Sequence, residues 1–259
     1  DHISFTGSPQ TGKMVAHAAA ENHVPVTLEL GGKSPQIVFD DADLDAAMPV
    51  LLAAIIQNAG QTCSAGSRVL IQRGVYETVL KRLSDAFSAT VTGPAAADLD
   101  VGPLINARQQ DRVRGFLAEA ESEGMKVAAR GKLKEGTPEA GFYQPPVLFR
   151  DVPPNSRLAQ EEVFGPVLAA MVFDTEEEAL AIANGTLYGL VAGVWTRDGG
   201  RQLRLARKLR AGQVFINNYG AGGGVELPFG GSRQSGYGRE KGFEALYGFT
   251  TLKTIAIRH

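Results

Sequence analysis

Polar and apolar residues follow two periods along this chain, one typical of strands and one typical of helices. His2 to Thr6 and Pro25 to Leu30 are short runs that predict strands, and Thr11 to Glu21 between them predicts a helix. Such a strand–helix–strand unit is the building block of a parallel sheet. Because the alternation continues almost throughout, we predict an α/β fold with a mostly parallel, twisted sheet and helices on both faces.

The later elements are predicted from helical periods, capping residues and short buried runs. In Tyr76 to Thr90 apolar residues recur with a helical period, and Thr175 with Glu178 forms a predicted capping box. The other predicted helices run from the N-cap Asp43 to about Asn58, from Asn106 to Gly124, from Thr175 to Asn184 and from Gly200 to Arg210. The predicted strands are Arg68 to Gln72, Lys126 to Ala129, Val167 to Phe173, Leu190 to Thr196, Gln213 to Asn217 and an edge strand, Thr250 to Ile257; Lys132 to Gly141 is a predicted surface loop.

Composition narrows the class of protein without naming a function. The 259 residues carry a net charge of −2, so we expect no nucleic-acid partner. The longest apolar stretch, Val50 to Ile56, is too short to span a bilayer, and we expect no membrane partner. A single cysteine suits a reducing compartment and predicts a cytoplasmic protein. The four histidines lack metal-ligand spacing, so we expect no metal.

The first candidate site is a glycine turn between the first predicted strand and helix. Backbone N–H groups at such a turn, with the helix dipole behind them, favour an anion. The residues from Gly7 to Lys13 nearly match a Walker phosphate loop, but Met14 stands where that motif needs a hydroxyl for magnesium. A dinucleotide pyrophosphate site is therefore favoured over a nucleotidase. On these residues alone, a turn that binds no ligand stays an equal alternative.

A second candidate is Glu29, at the carboxyl end of a predicted buried strand and just before Gly31 and Gly32. Ligands of parallel α/β sheets bind at the carboxyl ends of strands. A partly desolvated carboxylate there could act as a general base near neutral pH. An ion pair between Glu29 and Lys33 explains the same residues equally well.

The third candidate is Cys63, the only cysteine in the chain. A lone cysteine is most often a small buried hydrophobe, surrounded by large aliphatic residues. Cys63 instead lies just past a predicted helix end, among glycine, glutamine, threonine and serine. Small, polar neighbours suit a nucleophile whose sulfur must meet a substrate.

Five ordered motifs resemble the successive signatures of the aldehyde dehydrogenase superfamily. They are Phe5-Thr6-Gly7-Ser8, Leu28-Glu29-Leu30-Gly31-Gly32-Lys33, Gly60-Gln61-Thr62-Cys63, Glu161-Glu162-Val163-Phe164-Gly165-Pro166 and Pro228-Phe229-Gly230-Gly231. The chain is similar to the second, catalytic half of that family. The resemblance implies a remnant of the coenzyme-binding domain (residues 1–31), a catalytic domain (32–232) and a C-terminal return with an oligomerisation strand (233–259). It also implies a truncated form that is inactive alone.

The resemblance assigns a role to each motif. Cys63 is expected to attack an aldehyde as a thiolate, and the thioester left after hydride transfer to NAD or NADP is hydrolysed by water that Glu29 activates. The implied coenzyme-binding residues are Gly7, Ser8, Leu30, Gly31, Glu162 and Phe164. The implied substrate-pocket residues are Asn58, Thr62 and Phe229. Without the resemblance, Glu161 and Glu162 would be a solvated pair, and the two phenylalanines ordinary core or turn residues.

The resemblance also bears on partners. The expected ligand is a small aldehyde, and the predicted strand Thr250 to Ile257 is expected to join subunits into a homodimer or homotetramer. The glycine-rich loop Asn217 to Leu227 resembles the family's substrate-entrance loop, where Glu226 would favour a cationic aldehyde. A non-catalytic binding or assembly module of shared ancestry remains the alternative, against which Cys63 and Glu29 together argue.

Overall fold

The computed structural model describes residues 1–220 and 224–259. Within them, a seven-stranded sheet has the order β11-β10-β3-β4-β9-β8-β6, and all neighbours are parallel except the antiparallel pair β8 and β6. Its strands, in that order, are Gln213–Ile216, Val191–Trp195, Pro35–Val38, Arg68–Gln72, Val167–Phe173, Val147–Arg150 and Lys126–Arg130. The α-helices are Pro9–Glu21 (α1), Leu44–Ile56 (α2), Tyr76–Ala89 (α3), Ala107–Ser122 (α4), Arg157–Gln160 (α5), Glu176–Asn184 (α6), Gly199–Lys208 (α7) and Gly242–Gly248 (α8).

The core lies on both faces of this sheet because successive side chains of a strand point to opposite sides. Ile37 and Leu70 pack in one buried cluster, whereas their neighbours Val38 and Val69 pack in the other. Helices α4, α6 and α7 contribute to the first cluster, and α2 and α3 to the second. This arrangement confirms the predicted α/β class, with a mostly parallel sheet covered on both faces.

A three-stranded sheet lies at the start of the chain. Strand β1 (Ile3–Thr6) pairs in parallel with β2 (Val26–Glu29), and β12 (Gly236–Tyr237) pairs antiparallel with β2. A further parallel pair joins β5 (Val91–Thr92) to β7 (Lys132–Leu133). Only residues 30–34 separate β2 from β3, so the carboxyl end of the small sheet leads directly into the amino end of the large one.

Most predicted elements are present, with ends that shift by one or two residues. Asp43 caps its helix as predicted, and Asn106 caps α4 in the same way, since each side chain accepts a backbone N–H of the first turn. At α6 the Glu178 N–H donates to Thr175 Oγ1, but Glu178 Oε2 accepts the N–H of Asp174 rather than that of Thr175. The capping box is therefore displaced by one residue on its return side.

Several short elements were absent from the prediction, and one predicted element is wrong. The sequence assigned nothing to β3 or β8, which become strands by pairing with β4 and β9, elements distant in the sequence or beyond a loop. The predicted edge strand Thr250 to Ile257 has no β-pairing within the described residues, and all its residues are exposed. In residues 1–220 and 224–259 no strand pairs with that segment, and no surface covers its side chains. The predicted domain limits at residues 31 and 232 stay a prediction.

No helix in residues 1–220 and 224–259 has the length and apolar character needed to cross a bilayer.

Candidate active site

Glu29 is the last residue of β2, and its carboxylate is enclosed by the chain. Its exposed fraction is 2%, and neither oxygen has a hydrogen-bond partner among the described residues. Gly230, which has a φ of +153°, lies so close that an added Cβ would be 2.7 Å from Glu29 Oε1. Burial raises the pKa of Glu29 to about 8; the nearby Glu240 carboxylate adds to the rise and Arg239 opposes it. The raised pKa places this carboxyl in the range of a general base that works near neutral pH.

The alternative interpretation of Glu29, an ion pair with Lys33, is wrong for this structure. The Lys33 amine is also buried, but it has no hydrogen-bond partner among the described residues and forms no ion pair with Glu29. Glu29 ends β2, and Lys33 lies in the segment that links β2 to β3. The Glu29 carboxylate is therefore buried without a counter-ion from Lys33.

Cys63 lies in a hydrogen-bonded turn that exposes backbone N–H groups. The turn is closed by the Ala65 N–H, which donates to the Thr62 carbonyl at 3.0 Å. Cys63 is half-buried, and burial, with the Glu162 and Glu29 carboxylates adding to it, raises the pKa of its thiol. The N–H groups of Ser64 and of Cys63 itself act in the opposite direction. The same groups could stabilise a negative charge that develops beside the sulfur.

Left-handed backbone precedes this turn and explains its position. Asn58, Ala59 and Gly60 have φ values of +53°, +55° and +70° in succession, and non-glycine residues adopt this region only at an energetic cost. Asn58 Nδ2 donates to the Gln61 carbonyl, and Gln61 Nε2 donates back to the Asn58 carbonyl. Asn58 therefore shapes the chain before Cys63.

Gly31 and Gly32 bring the three parts of the site together. The backbone of Gly31 lies against the Glu162 carboxylate, and that of Gly32 lies against the Cys63 carbonyl oxygen, so close that neither position leaves space for a Cβ. The Gly32 N–H donates to Glu162 Oε1 at 2.9 Å. Two glycines thus join the segment after Glu29 to both Cys63 and Glu162.

Glu161 and Glu162 do not form the solvated pair that their sequence alone suggests. Glu161 is exposed and pairs with Arg157 at 3.2 Å, whereas Glu162 points inward. Burial raises the pKa of Glu162, and the Gly32 N–H and the Lys33 ammonium oppose that rise. Helix α4 holds the segment's backbone, because Gln109 Nε2 donates to the carbonyls of Val163 and Phe164, and Arg112 to that of Glu162. Phe164 is half-buried with a φ of +59°.

The N-terminal glycine turn places Gly7 and Ser8 at the start of helix α1. The Gly7 N–H donates to the Glu29 carbonyl, and the Ser8 side chain caps α1 by accepting the N–H of Thr11. Lys13 and Met14 are exposed. Ser8 and Gly7 therefore lie at the amino end of a helix that follows β1, as an anion site requires, and β2 with Glu29 lies beside them.

A cleft of about 320 Å³ opens beside the Cys63 turn. Its described lining is mostly small or apolar and consists of Pro49, Val50, Ala53, Ala54, Gln57, Thr62, Ser64, Ala65, Tyr219 and Gly220. Thr62 is thus in the cleft, whereas Asn58 and Phe229 are not among its lining residues. Leu30 lies buried after β2. The predicted entrance loop extends over residues 221–223, which lie outside the described residues; Glu226 is exposed.

Comparison with known proteins identifies the family of this chain. The model of the aldehyde dehydrogenase family matches residues 1–255. The chain belongs to this family. Betaine aldehyde dehydrogenase 1 of Rhizobium meliloti is 44% identical over 256 residues, which cover 98% of this chain and 52% of that protein. The chain thus spans about half the length of the curated relatives it matches.

Solved structures agree with this assignment. A crystal structure of a Burkholderia cenocepacia protein, described as a candidate aldehyde dehydrogenase, is 74% identical with a TM-score of 0.98, over 100% of this chain and 54% of that one. The NAD⁺ complex of a Bacillus cereus aldehyde dehydrogenase is 42% identical with a TM-score of 0.92, over 98% and 51%. A Staphylococcus aureus betaine aldehyde dehydrogenase in complex with NAD⁺ is 38% identical with a TM-score of 0.90, over 95% and 49%.

The fold brings two further residues to the site, Glu240 and Tyr219, which the sequence analysis did not predict there. Glu240 reaches Glu29 because its backbone pairs with Phe229, with N–H to carbonyl distances of 2.6 and 2.7 Å. The Tyr219 hydroxyl donates to the Ser64 carbonyl at 2.5 Å, directly after Cys63. Glu240 follows the motif Pro228 to Gly231 by nine residues, and its sequence neighbours give no signal of this approach. Among the described residues no cluster of three or more histidine, cysteine or acidic side chains could hold a metal.

Gly32→Ala should damage the site more than Gly31→Ala. An added methyl at Gly32 meets the backbone carbonyl of Cys63, so the turn itself must move, whereas at Gly31 it meets the end of the flexible Glu162 side chain. We expect Gly32→Ala to lower the unfolding free energy by about 1–3 kcal/mol, as overpacking does, and to slow alkylation of Cys63 by iodoacetamide. Denaturant titration and labelling rates of both variants test this. Equal labelling rates in both would contradict the close contact.

Proposed function

We propose that the native polypeptide containing these residues oxidises an aldehyde to a carboxylic acid with NAD or NADP. One observation carries the proposal: a lone cysteine in a turn rich in N–H donors lies near a buried, unpaired carboxylate whose pKa is raised to about 8. A nucleophile and a general base are the two groups that acylation and hydrolysis of an aldehyde carbon require. The relatives that bind NAD⁺ support the coenzyme class.

In the first half of the proposed reaction, the Cys63 thiolate attacks the aldehyde carbon and forms a C–S bond. The carbonyl π electrons move to oxygen, and the resulting oxyanion lies beside the Cys63 and Ser64 N–H groups. A bound nicotinamide coenzyme would supply the acceptor for the hydride that leaves that carbon. The oxyanion then reforms a carbonyl, and Cys63 carries a thioester.

In the second half, Glu29 takes a proton from a water molecule that attacks the thioester carbon. The C–S bond breaks, the electron pair returns to sulfur, and a carboxylic acid leaves. Glu29 suits this step because its carboxylate has no hydrogen-bond partner among the described residues and lies against Gly230, which keeps bulk water from that side. The raised pKa of Glu29 has a second consequence. Below a pH of about 8 most of Glu29 is neutral, so it does not repel the negative charge of the Cys63 thiolate.

Coenzyme binding is assigned to residues that fit it. Glu162 presents a half-buried carboxylate, fixed on one oxygen by the Gly32 N–H, which can accept hydrogen bonds from ribose hydroxyls. Gly7 and Ser8 would approach the pyrophosphate at the amino end of α1. Leu30, Gly31 and Phe164 would lie around the nicotinamide half.

The substrate is proposed as a small aldehyde that enters through the cleft beside Thr62 and Tyr219. Rhizobial relatives are named betaine aldehyde dehydrogenases, which makes a cationic aldehyde one candidate. The described lining of this cleft contains no carboxylate and one aromatic residue, Tyr219, so its own chemistry suits a neutral aldehyde as well.

An assay of the native polypeptide tests the proposal. Absorbance of reduced coenzyme is followed with NAD and with NADP, using betaine aldehyde and propanal, which differ in charge. We expect turnover of at least one aldehyde, with one carboxylic acid formed per reduced coenzyme. Reduced coenzyme without acid, or ATP hydrolysis that depends on magnesium, would contradict it and favour the phosphate-loop alternative. The isolated 259-residue chain serves as a second sample and is expected to be inactive.

The C-terminal segment is proposed to mediate homodimer or homotetramer assembly. It presents Leu252, Ile255 and Ile257, which are 100%, 76% and 72% exposed. Such side chains, on a segment without a ladder partner in the described chain, suit addition to another subunit's sheet edge. Deleting residues 250–259 should convert the oligomer to monomer or aggregate in light scattering. Lys253→Ala, a polar change in the same segment, is the control; an unchanged oligomer after the deletion would place the interface elsewhere.

A further inference from the structure

Lys33 is a buried amine to which the proposed reaction assigns no role. Its exposed fraction is 2%, and its Nζ has no hydrogen-bond partner among the described residues. An ammonium group without partners in such a place is costly, and lysines are almost never fully buried unless paired. Its backbone is held firmly, since Arg68 Nε donates to the Lys33 carbonyl at 2.9 Å.

The surroundings of the amine leave it one buried acidic neighbour. Four charged groups act on it from the packed elements: Arg68 and Arg112 disfavour the ammonium, while Glu162 and Glu161 favour it. Glu161 is exposed and already paired with Arg157, whereas Glu162 lies inward. The narrow cavity that Lys33 lines has a volume of about 10 Å³, room for at most about one water molecule. Bulk solvent therefore does not replace Glu162 as its counterpart.

The backbone next to Lys33 contacts Glu162 directly. Gly32 donates its N–H to Glu162 Oε1 at 2.9 Å, and Lys33 is the next residue. One oxygen of Glu162 is therefore fixed by the backbone, and the positive charge that opposes the burial of this carboxylate comes from the same segment. Arg112, the other cation that acts on Glu162, is exposed and donates to its backbone carbonyl.

We propose that Lys33 is a positioning residue that keeps the Glu162 carboxylate ionised and aimed for the ribose hydroxyls of the coenzyme. This inference rests on the proposed function of Glu162. A protonated carboxyl would lose one strong acceptor and the charge that strengthens both ribose hydrogen bonds. Lys33 is thus retained at a cost to stability for the sake of coenzyme affinity.

Coenzyme affinity is the first test, made by fluorescence titration of the native polypeptide with NAD and with NADP at pH 6.5, where most of Lys33 carries its charge because its pKa is lowered to about 7. Lys33→Met replaces the ammonium with an uncharged side chain of similar shape. We expect its dissociation constant for the preferred coenzyme to rise by roughly tenfold or more, the scale of one lost charge-assisted hydrogen bond. Lys132→Met, an exposed lysine in β7, is the matched control and should change affinity less than about twofold.

A double-variant cycle with Glu162→Gln separates this role from general damage to the site. If Lys33 acts through the Glu162 charge, Lys33→Met should change affinity by less than about twofold once Glu162 is glutamine. The same tenfold loss in both backgrounds would overturn the proposal. Undetectable coenzyme binding by the wild type would instead refute the proposed function and this inference with it.

The second test is the stability of the fold, which Lys33→Met should raise although it weakens coenzyme binding. Burial lowers the pKa of Lys33 to about 7, so from about pH 7 to the unfolded pKa near 10.5 the unfolded chain binds more protons than the folded one. The wild type should therefore gain stability as the pH rises through this range, and Lys33→Met should not. We expect Lys33→Met to raise the urea midpoint at pH 6.5, with the difference shrinking by pH 9.5. A lower midpoint at pH 6.5 would identify Lys33 as a structural residue and overturn the proposal.

Discussion

Replacing Cys63 with alanine is expected to abolish aldehyde oxidation by the native polypeptide, a loss of roughly 10⁴-fold or more. The reason is that Cys63 is the only cysteine of the chain, and its turn is the place where a half-buried sulfur, two N–H donors and a nearby base meet. Both the hydride step and the hydrolytic step pass through the C–S bond that this sulfur forms. Steady-state production of reduced coenzyme is the measurement.

Labelling and binding controls complete this experiment. Iodoacetamide should modify one site per 259-residue chain in the wild type and none in Cys63→Ala, while coenzyme binding should survive because the substitution removes only a small side chain. Cys63→Ser keeps the size of the group but replaces the thiol with a far weaker acid, and it should be as inactive as the alanine variant. Substantial turnover in either variant would rule out the covalent mechanism.

Replacing Glu29 with glutamine should slow hydrolysis by about 10²- to 10⁴-fold, the usual contribution of a general base. Glutamine has the same shape but cannot take a proton from water. The hydride step does not need this base, so rapid mixing should still show a burst of one reduced coenzyme per active chain. Glu161→Gln, which changes an exposed carboxylate, is the matched control. Normal turnover without Glu29 would reduce it to a structural residue.

The pH dependence should follow the same residue. Because burial raises the pKa of Glu29 to about 8, its basic form increases as the pH rises through 8, and the hydrolytic rate should rise with it. Glu29→Gln should lack that rise. The Glu29→Gln substitution should also lower the pKa of the Cys63 thiol, because it removes one of the two carboxylates, Glu29 and Glu162, that raise this pKa. Iodoacetamide rates measured from pH 6 to 10 detect this as a shift of the alkylation profile to lower pH; an unshifted profile would contradict the electrostatic contact.

Sequence reasoning singled out the proposed reactive pair because each residue stands out from its neighbours. Glu29 ends a buried strand before two glycines, and Cys63 has small polar neighbours instead of aliphatic ones. The choice between a base and an ion pair with Lys33 remained open, since adjacency along the chain does not give side-chain direction. In the structure Glu29 and Lys33 form no ion pair, which excludes that alternative and leaves the base as a proposal.

The pattern of residues by itself determined the α/β class, most helices and their caps, the long buried strands and the family. The class and the elements depend on local periods and on capping groups within four residues, whereas the family was inferred from the resemblance of five ordered motifs. It did not determine β3, β8, the inward turn of Glu162 beside an exposed Glu161, or the approach of Glu240 to Glu29. Those depend on which strands become neighbours and on which backbones can approach closely, as Gly31 and Gly32 do. The unpaired C-terminal segment makes the same point in reverse: an alternating pattern predicts a strand, but a strand forms only where another edge supplies its hydrogen bonds.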